Sequence, residues 1–224
     1  MPSGSCLVLG FLGGRDAWND SSKSVRQLAL RLRAPAKGIH VETFENRRRP
    51  LAEAFLTQAL DCNDDGAVDL REASRVSLVV YGQSFGGAAV AKFARRLATL
   101  GIPILLTVQI DSVGRGDADI PPNVRYAANL YQDNGWFIEG EHPIRAVDPE
   151  RTQILGNWKF DYRRPPGSSI SLAGVPWWKL AFRVAHARMD RDPRVWARVG
   201  ILIRAACAGE DLKKTASQWD SKRL

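Results

Sequence analysis

The chain contains no apolar stretch approaching the roughly 18 to 20 residues that a bilayer-spanning helix needs, so no transmembrane segment is predicted. Cysteine is sparse: Cys6, Cys62 and Cys207 are the only three. An odd number excludes a fully paired disulfide framework within one chain, and their wide scatter fits no zinc spacing. Cys6 and Cys207 are read as small buried apolar residues. Histidine is equally scarce, so any imidazole chemistry has only His40, His142 and His186 to draw on. The basic start of a signal peptide is also lacking, and an apolar strand begins almost at once, at Cys6. The expectation is a soluble protein, cytoplasmic by default and extracytoplasmic if the sequence is truncated ahead of Met1. Internal repeats, low-complexity tracts and linkers are absent as well, so residues 1–224 are read as one domain.

What is present is ordinary for a globular protein. Of the 224 residues 45% are apolar, enough for one sizeable core, and 25% are charged. The formal charge is +8, with clusters at Arg47-Arg48-Arg49 and Arg163-Arg164. No aromatic-interleaved basic stripe accompanies them. They read as a solvated arginine-rich surface, and no nucleic-acid partner is expected.

Apolar runs and helical periodicities alternate along the first half. "CLVLGF" (6–11) reads as a buried strand ending in glycines, and 21–34 as a helix with serines at its start. "IHVETFE" (39–45) is a strand, 51–60 a helix, 77–82 a strand, 88–100 a helix, and 103–111 and 124–132 strands. Strand and helix in alternation indicate an α/β architecture with a mostly parallel sheet. Short strands are expected at 152–162 and 169–174, and a last helix at 193–208 with Pro193 in its first turn. Trp136, Trp158, Trp177 and Trp178 fall in the irregular second half, as core or as the lining of an acyl pocket.

One turn carries chemistry. In "VVYGQSFGGAAV" (79–90), Gly82-Gln83-Ser84-Phe85-Gly86 joins an apolar strand to an alanine-rich helix. A serine nucleophile needs its hydroxyl clear of the sheet, and a sharp strand-to-helix turn provides that. The flanking glycines remove side chains that would clash. The helix start brings free N–H groups and a positive dipole end. The "GQSFGG" segment resembles the nucleophile elbow of the α/β-hydrolase family. "LGFLGG" (9–14) is similar to the oxyanion loop of its lipase and esterase members, with Leu9 where that family writes a histidine. The resemblance implies a three-layer α/β-hydrolase sandwich with a mostly parallel sheet flanked by helices. It also implies an oxyanion hole built from the backbone N–H of Phe85 and of Phe11, with Leu12 as the alternative second donor.

The family orders its triad serine, acid, histidine. His186, late and just before the last helix, matches the family's late histidine loop. His142, in a polar loop, is the alternative, and His40 precedes the serine and reads as structural. Asp111 ends the strand after the nucleophile strand, where a buried charge needs a partner, and an imidazole is a suitable one. Asp117 and Asp119 are weaker candidates. Ser84, His186 and Asp111 thus form the expected triad.

A second constellation lies upstream. In "DCNDDGAVDLRE" (61–72), Asp61, Asn63, Asp65, Asp69 and Glu72 take loop positions 1, 3, 5, 9 and 12. Gly66 is at position 6, Val68 is the apolar residue at position 8, and Ala67 offers a backbone carbonyl. This resembles an EF-hand calcium loop. The segment that leaves the loop is short before the next strand, so a structural calcium ion is expected rather than a sensor that opens. The combined expectation is a serine hydrolase acting on small-molecule or lipid acyl esters or thioesters, with no organic cofactor. The alternatives are a catalytically inactive calcium-binding interaction module on the same scaffold, and, within the fold, an acyltransferase.

Overall fold

Strand β1 (Cys6–Leu12) is apolar at nearly every position, and all seven residues are buried. Such a run suits a central strand covered on both faces. In this computed structural model, which describes residues 1–33, 38–134, 143–175 and 184–220, β1 sits inside a six-stranded sheet. Its neighbours are β2 (Ile39–Glu45) and β3 (Ser77–Gln83). Beyond β3 follow β4 (Ile104–Ile110), β6 (Val124–Tyr131) and β8 (Gln153–Lys159). The order is β2-β1-β3-β4-β6-β8, and every pairing is parallel. Two short strands, β5 (Asp119–Ile120) and β7 (Arg145–Ala146), form a separate parallel pair.

Helices cover both faces. On one side Val79, Tyr81, Leu106 and Val108 pack with α1 (Ser24–Arg33), α5 (Val184–Arg191), α6 (Pro193–Cys207) and α7 (Leu212–Asp220). On the other, Leu7, Leu9, Leu78 and Val80 pack with α2 (Arg49–Leu60) and α4 (Phe85–Thr99). A four-residue helix, α3 (Leu70–Ala73), stands between α2 and β3. The result is the three-layer α/β sandwich expected from the α/β-hydrolase resemblance. Because β1 leads outward to β2 while β3 lies on its other side, the chain order reverses between β1 and β3. Connections diverge at the carboxyl ends of those strands, and that divergence leaves a crevice. Gly13 and Ser84 are the residues that emerge there.

Four expectations change. The strand expected at 169–174 is absent. Residues Gly167–Ser169 form a single 3-10 turn instead, after Pro165-Pro166, which carry no N–H for a ladder. His186 is not in a loop but in the first turn of α5, a stretch whose Ala185, Ala187, Arg188 and Met189 are good helix formers. A further helix, α7, follows the expected last one. Finally, Cys6 and Cys207 are not separate apolar residues: they form a disulfide that ties the start of β1 to the end of α6. The residues are 201 apart in sequence, with Cα atoms 5.3 Å apart. Cys62 stays free and exposed. The helix α6 opens as expected, with Pro193 at its start. The side chain of the preceding Asp192 accepts from the N–H of Arg194.

Candidate active site

The turn after β3 is strained in the way its sequence suggests. Ser84 has φ 59° and ψ −127°, a conformation that a non-glycine residue adopts only under constraint. The constraint is close packing of glycines. A Cβ on Gly86 would lie 2.0 Å from the carbonyl oxygen of Phe11, and one on Gly82 would lie 2.4 Å from the carbonyl oxygen of Gly86. The Ser84 N–H donates to the Ile110 carbonyl at 2.9 Å, while its own carbonyl accepts from Val113 at 3.1 Å. These bonds lock the turn onto the end of β4. Helix α4 begins at Phe85, so that residue's N–H belongs to the first turn, where no intrahelical acceptor exists.

Asp111 follows β4 directly, is fully buried and also has a positive φ, 44°. Its Oδ2 lies 2.6 Å from Nδ1 of His186. A second donor, the amide of Gln132, reaches both carboxylate oxygens at 3.3 Å. Gln132 is itself held by the Asn134 N–H, which donates to its Oε1 at 2.7 Å. With a carboxylate at Nδ1, the neutral imidazole carries its proton there and turns a lone pair outward at Nε2. The structure therefore brings the expected acid and base together. His186 borders the same cleft as Ser84, a cavity of about 500 Å³ lined also by Gly13, Gly14, Phe85 and Val113, while the fully buried Asp111 is bonded to the histidine ring.

The remaining candidates are distributed as follows. Phe11 lies inside β1, paired with Phe44 and Gly82, and its carbonyl faces Gly86. The backbone that borders the cleft is Gly13–Asp16, two residues further on. A Cβ on Gly13 would come within 2.9 Å of Ser84 Cβ. Asn46 steadies this loop by donating to the carbonyls of Leu12 and Gly14, at 3.1 and 2.7 Å. Asp117 is buried and accepts from the Ser112 hydroxyl, and Asp119 pairs with Arg145 at 2.7 Å. His40 is exposed on β2, paired with Leu7 near the amino end of the sheet. His142, Trp136, Trp177 and Trp178 lie outside the described residues. Trp158 is core, 5.0 Å from the Trp219 ring. Gln83, Gln132 and Asn46 were not singled out by sequence. Only Gln83 carried a signal, as a polar residue in an otherwise apolar strand.

The 61–72 loop has its own framework. Asp61 accepts from the N–H groups of Asp64 and Gly66, at 2.7 and 2.8 Å. Asn63 accepts from Asp65 and Asp65 from Ala67. Gly66 has φ 80°, as the turn demands. Glu72 accepts from the backbone of Cys62 and of Asp69, at 2.7 and 3.1 Å, and Asp69 caps α3 by accepting from Glu72. The donor types suit a hard cation. Their arrangement does not yet do so: among the described residues no three His, Cys, Asp or Glu side chains converge on a common point. The carboxylates are engaged with the loop's own N–H groups.

Neither a family model nor a curated protein matches the chain. Among solved structures it is similar to a cutinase-like protein from Cryptococcus sp., at 12% identity over 94% of this chain and 100% of that one, with a TM-score of 0.43. It is similar also to a protein of Lactobacillus plantarum WCFS1 whose assignment as a cell surface hydrolase is provisional. There the identity is 10% over 99% and 98% of the two chains, and the TM-score is 0.49. The assignment of fold class rests on the strand order itself.

Proposed function

We propose that the protein is a serine hydrolase that cleaves carboxylic ester or thioester bonds through Ser84, His186 and Asp111. The observation that carries this reading is the buried Asp111 carboxylate at 2.6 Å from a histidine that borders the same cleft as a strained serine at the start of α4. In the first half-reaction Ser84 Oγ attacks the acyl carbon and its proton passes to Nε2 of His186. Asp111 keeps Nδ1 protonated and stabilises the imidazolium without itself taking the proton. The developing oxyanion is held by the N–H of Phe85 and by a second N–H from the Gly13–Arg15 backbone. The tetrahedral species collapses, the alcohol or thiol leaves with the proton from Nε2, and Ser84 remains acylated. Water, deprotonated by the same nitrogen, then releases the acid and restores the serine.

The test is labelling by a fluorophosphonate probe, with the adduct located by mass spectrometry. Modification of Ser84, lost in Ser84→Ala, supports the reading. A folded protein inert to the probe and to p-nitrophenyl acyl esters favours the inactive calcium-binding module instead.

Calcium at the 61–72 loop is a separate proposal. It is supported by residue identity and by Gly66, and it requires Glu72 to leave the N–H groups of Cys62 and Asp69. The compartment is a third matter. Among the described residues no helix is long and apolar enough to cross a membrane. The Cys6–Cys207 disulfide favours an oxidising, extracytoplasmic setting over the cytoplasm.

A further inference from the structure

Gln83 is the last residue of β3 and precedes the nucleophile. Its side chain points to the same face as Tyr81, which is otherwise apolar, and it is 6% exposed. An amide buried on such a face is costly unless both its ends are satisfied. One end is accounted for: Nε2 of Gln83 lies 3.3 Å from Nε2 of His186. The orientation follows from the ring. Asp111 at Nδ1 fixes the proton there, so Nε2 of the neutral imidazole presents a lone pair. Only the N–H₂ end of an amide can satisfy it. The oxygen end then lies towards the glycine loop, where a Cβ on Gly13 would be 3.0 Å from Gln83 Oε1.

We propose that Gln83 is a positioning residue that masks the base: its amide holds Nε2 of His186 in the resting protein and must release it to Ser84 before acyl transfer. The proposal rests on the reading of Ser84 and His186 as nucleophile and base. Nε2 offers one lone pair, and it serves either the Gln83 N–H or the Ser84 hydroxyl at full strength. In the resting state the amide competes with the serine, holding the ring at the cleft in the productive tautomer but lowering its basicity towards Ser84. A substrate that fills the cleft between the glycine loop and α5 displaces the amide and frees the lone pair. The amide thus spans from the base towards the glycine loop, its Nε2 on His186 and its Oε1 where a Cβ on Gly13 would be 3.0 Å away.

Two substitutions and one direct observation test this. In Gln83→Met the side chain keeps its length and loses its donor, so fluorophosphonate labelling of Ser84 becomes about fivefold faster, the factor one net hydrogen bond is worth. In Gln83→Glu a carboxylate accepts from Nε2–H and favours the imidazolium. The pKa of His186, followed by NMR, and the acid limb of kcat/KM both move upward. In the wild type, a nuclear Overhauser contact joins the Gln83 amide protons to the His186 ring. Equal or slower labelling of folded Gln83→Met overturns the masking role, as does an unshifted His186 titration in Gln83→Glu or a missing Overhauser contact. If neither wild type nor variant is labelled while the contact and the titration shift are present, the hydrolase reading fails and masking fails with it. Equal labelling of both proteins removes the masking role alone.

Discussion

Nδ1 of His186 lies 2.6 Å from Oδ2 of Asp111, although the two residues are 75 positions apart. The pair forms because β4 ends at the crevice edge and α5 returns across it. A fully buried carboxylate needs such a partner, and Gln132 supplies two further contacts at 3.3 Å. Asp111→Asn keeps the shape but lets Nδ1 accept rather than donate, which turns the ring to the wrong tautomer. Hydrolysis of p-nitrophenyl esters should fall by about ten-thousand-fold in kcat. Ser84→Ala and His186→Ala should each lose at least as much. Undiminished hydrolysis by a folded Ser84→Ala protein would end the proposed mechanism.

Gly86 tests the elbow itself. A methyl group there meets the Phe11 carbonyl oxygen at 2.0 Å, and the obstacle is backbone, which cannot swing aside. Gly86→Ala must therefore push α4 away from β1 and shift Ser84. Overpacking of this kind costs about 1 to 3 kcal/mol. Thermal unfolding should show the loss, and labelling of Ser84 should drop in whatever fraction remains folded. A variant with wild-type melting and labelling would mean that the strand and helix are not so closely apposed.

The Cys6–Cys207 bridge predicts a redox-dependent stability. It closes a loop across nearly the whole chain, with a sequence separation of 201, and chain-entropy reasoning puts the effect of such a loop at up to about 5 kcal/mol. Cys207→Ser, or reduction, should lower the melting temperature markedly without touching the cleft. Thiol titration of the unfolded, unreduced protein should find a single reactive group, that of Cys62. Three reactive thiols would refute the pairing.

Much of this was legible from periodicity. The apolar β1 and β3, the small-residue turn after β3 and the alanine-rich α4 announce themselves because each element's local pattern agrees with its place in the sheet. Asp111 was legible for a related reason: a charge closing a buried strand stands out. Long-range pairings were not. Cys6 and Cys207 read as two small apolar residues because spacing along a chain says nothing about which distant strand and helix meet. The same holds for Gln132, a polar side chain just past one strand whose acceptor, Asp111, lies just past another. His186 lies against Asp111, as the order of the residues led one to expect, but on a helix rather than in a loop, since a short alanine- and arginine-rich stretch flanked by Asp and Pro also resembles a loop. Gly13, rather than Phe11, borders the cleft because the strand runs one residue further than its sequence suggested.

The 61–72 loop predicts a calcium response with a geometric signature. Asp61, Asn63 and Asp65 are already organised by backbone N–H groups, whereas Glu72 is turned onto Cys62 and Asp69. Calcium should raise the melting temperature, EDTA should lower it, and the amide resonances of Cys62 and Asp69 should shift as Glu72 leaves them. Glu72→Gln should weaken the response, and it should also loosen the cap of α3 in the absence of metal. If millimolar calcium moves neither the melting point nor those resonances, the loop is an acidic turn and nothing more.

Asp190 makes a pH-dependent prediction within the cleft. It lies on α5 four residues after His186, hence on the same side of the helix. Burial, the largest influence, raises its carboxyl pKa above the ordinary carboxylate range. Asp16 adds to the rise, while Lys23, His186 and Arg191 oppose it. A carboxyl raised on folding contributes fully below its unfolded pKa, near 4, where both states are protonated. As pH climbs through the higher folded value, the folded state must ionise in a poorly solvated place, and stability is lost. Asp190→Asn mimics the protonated form. The variant should melt above the wild type at neutral pH, and the gap should close as pH falls towards 4. Should the variant instead be the less stable protein at neutral pH, the attraction of Lys23 and Arg191 would outweigh burial, and Asp190 would be a paired carboxylate rather than a strained one.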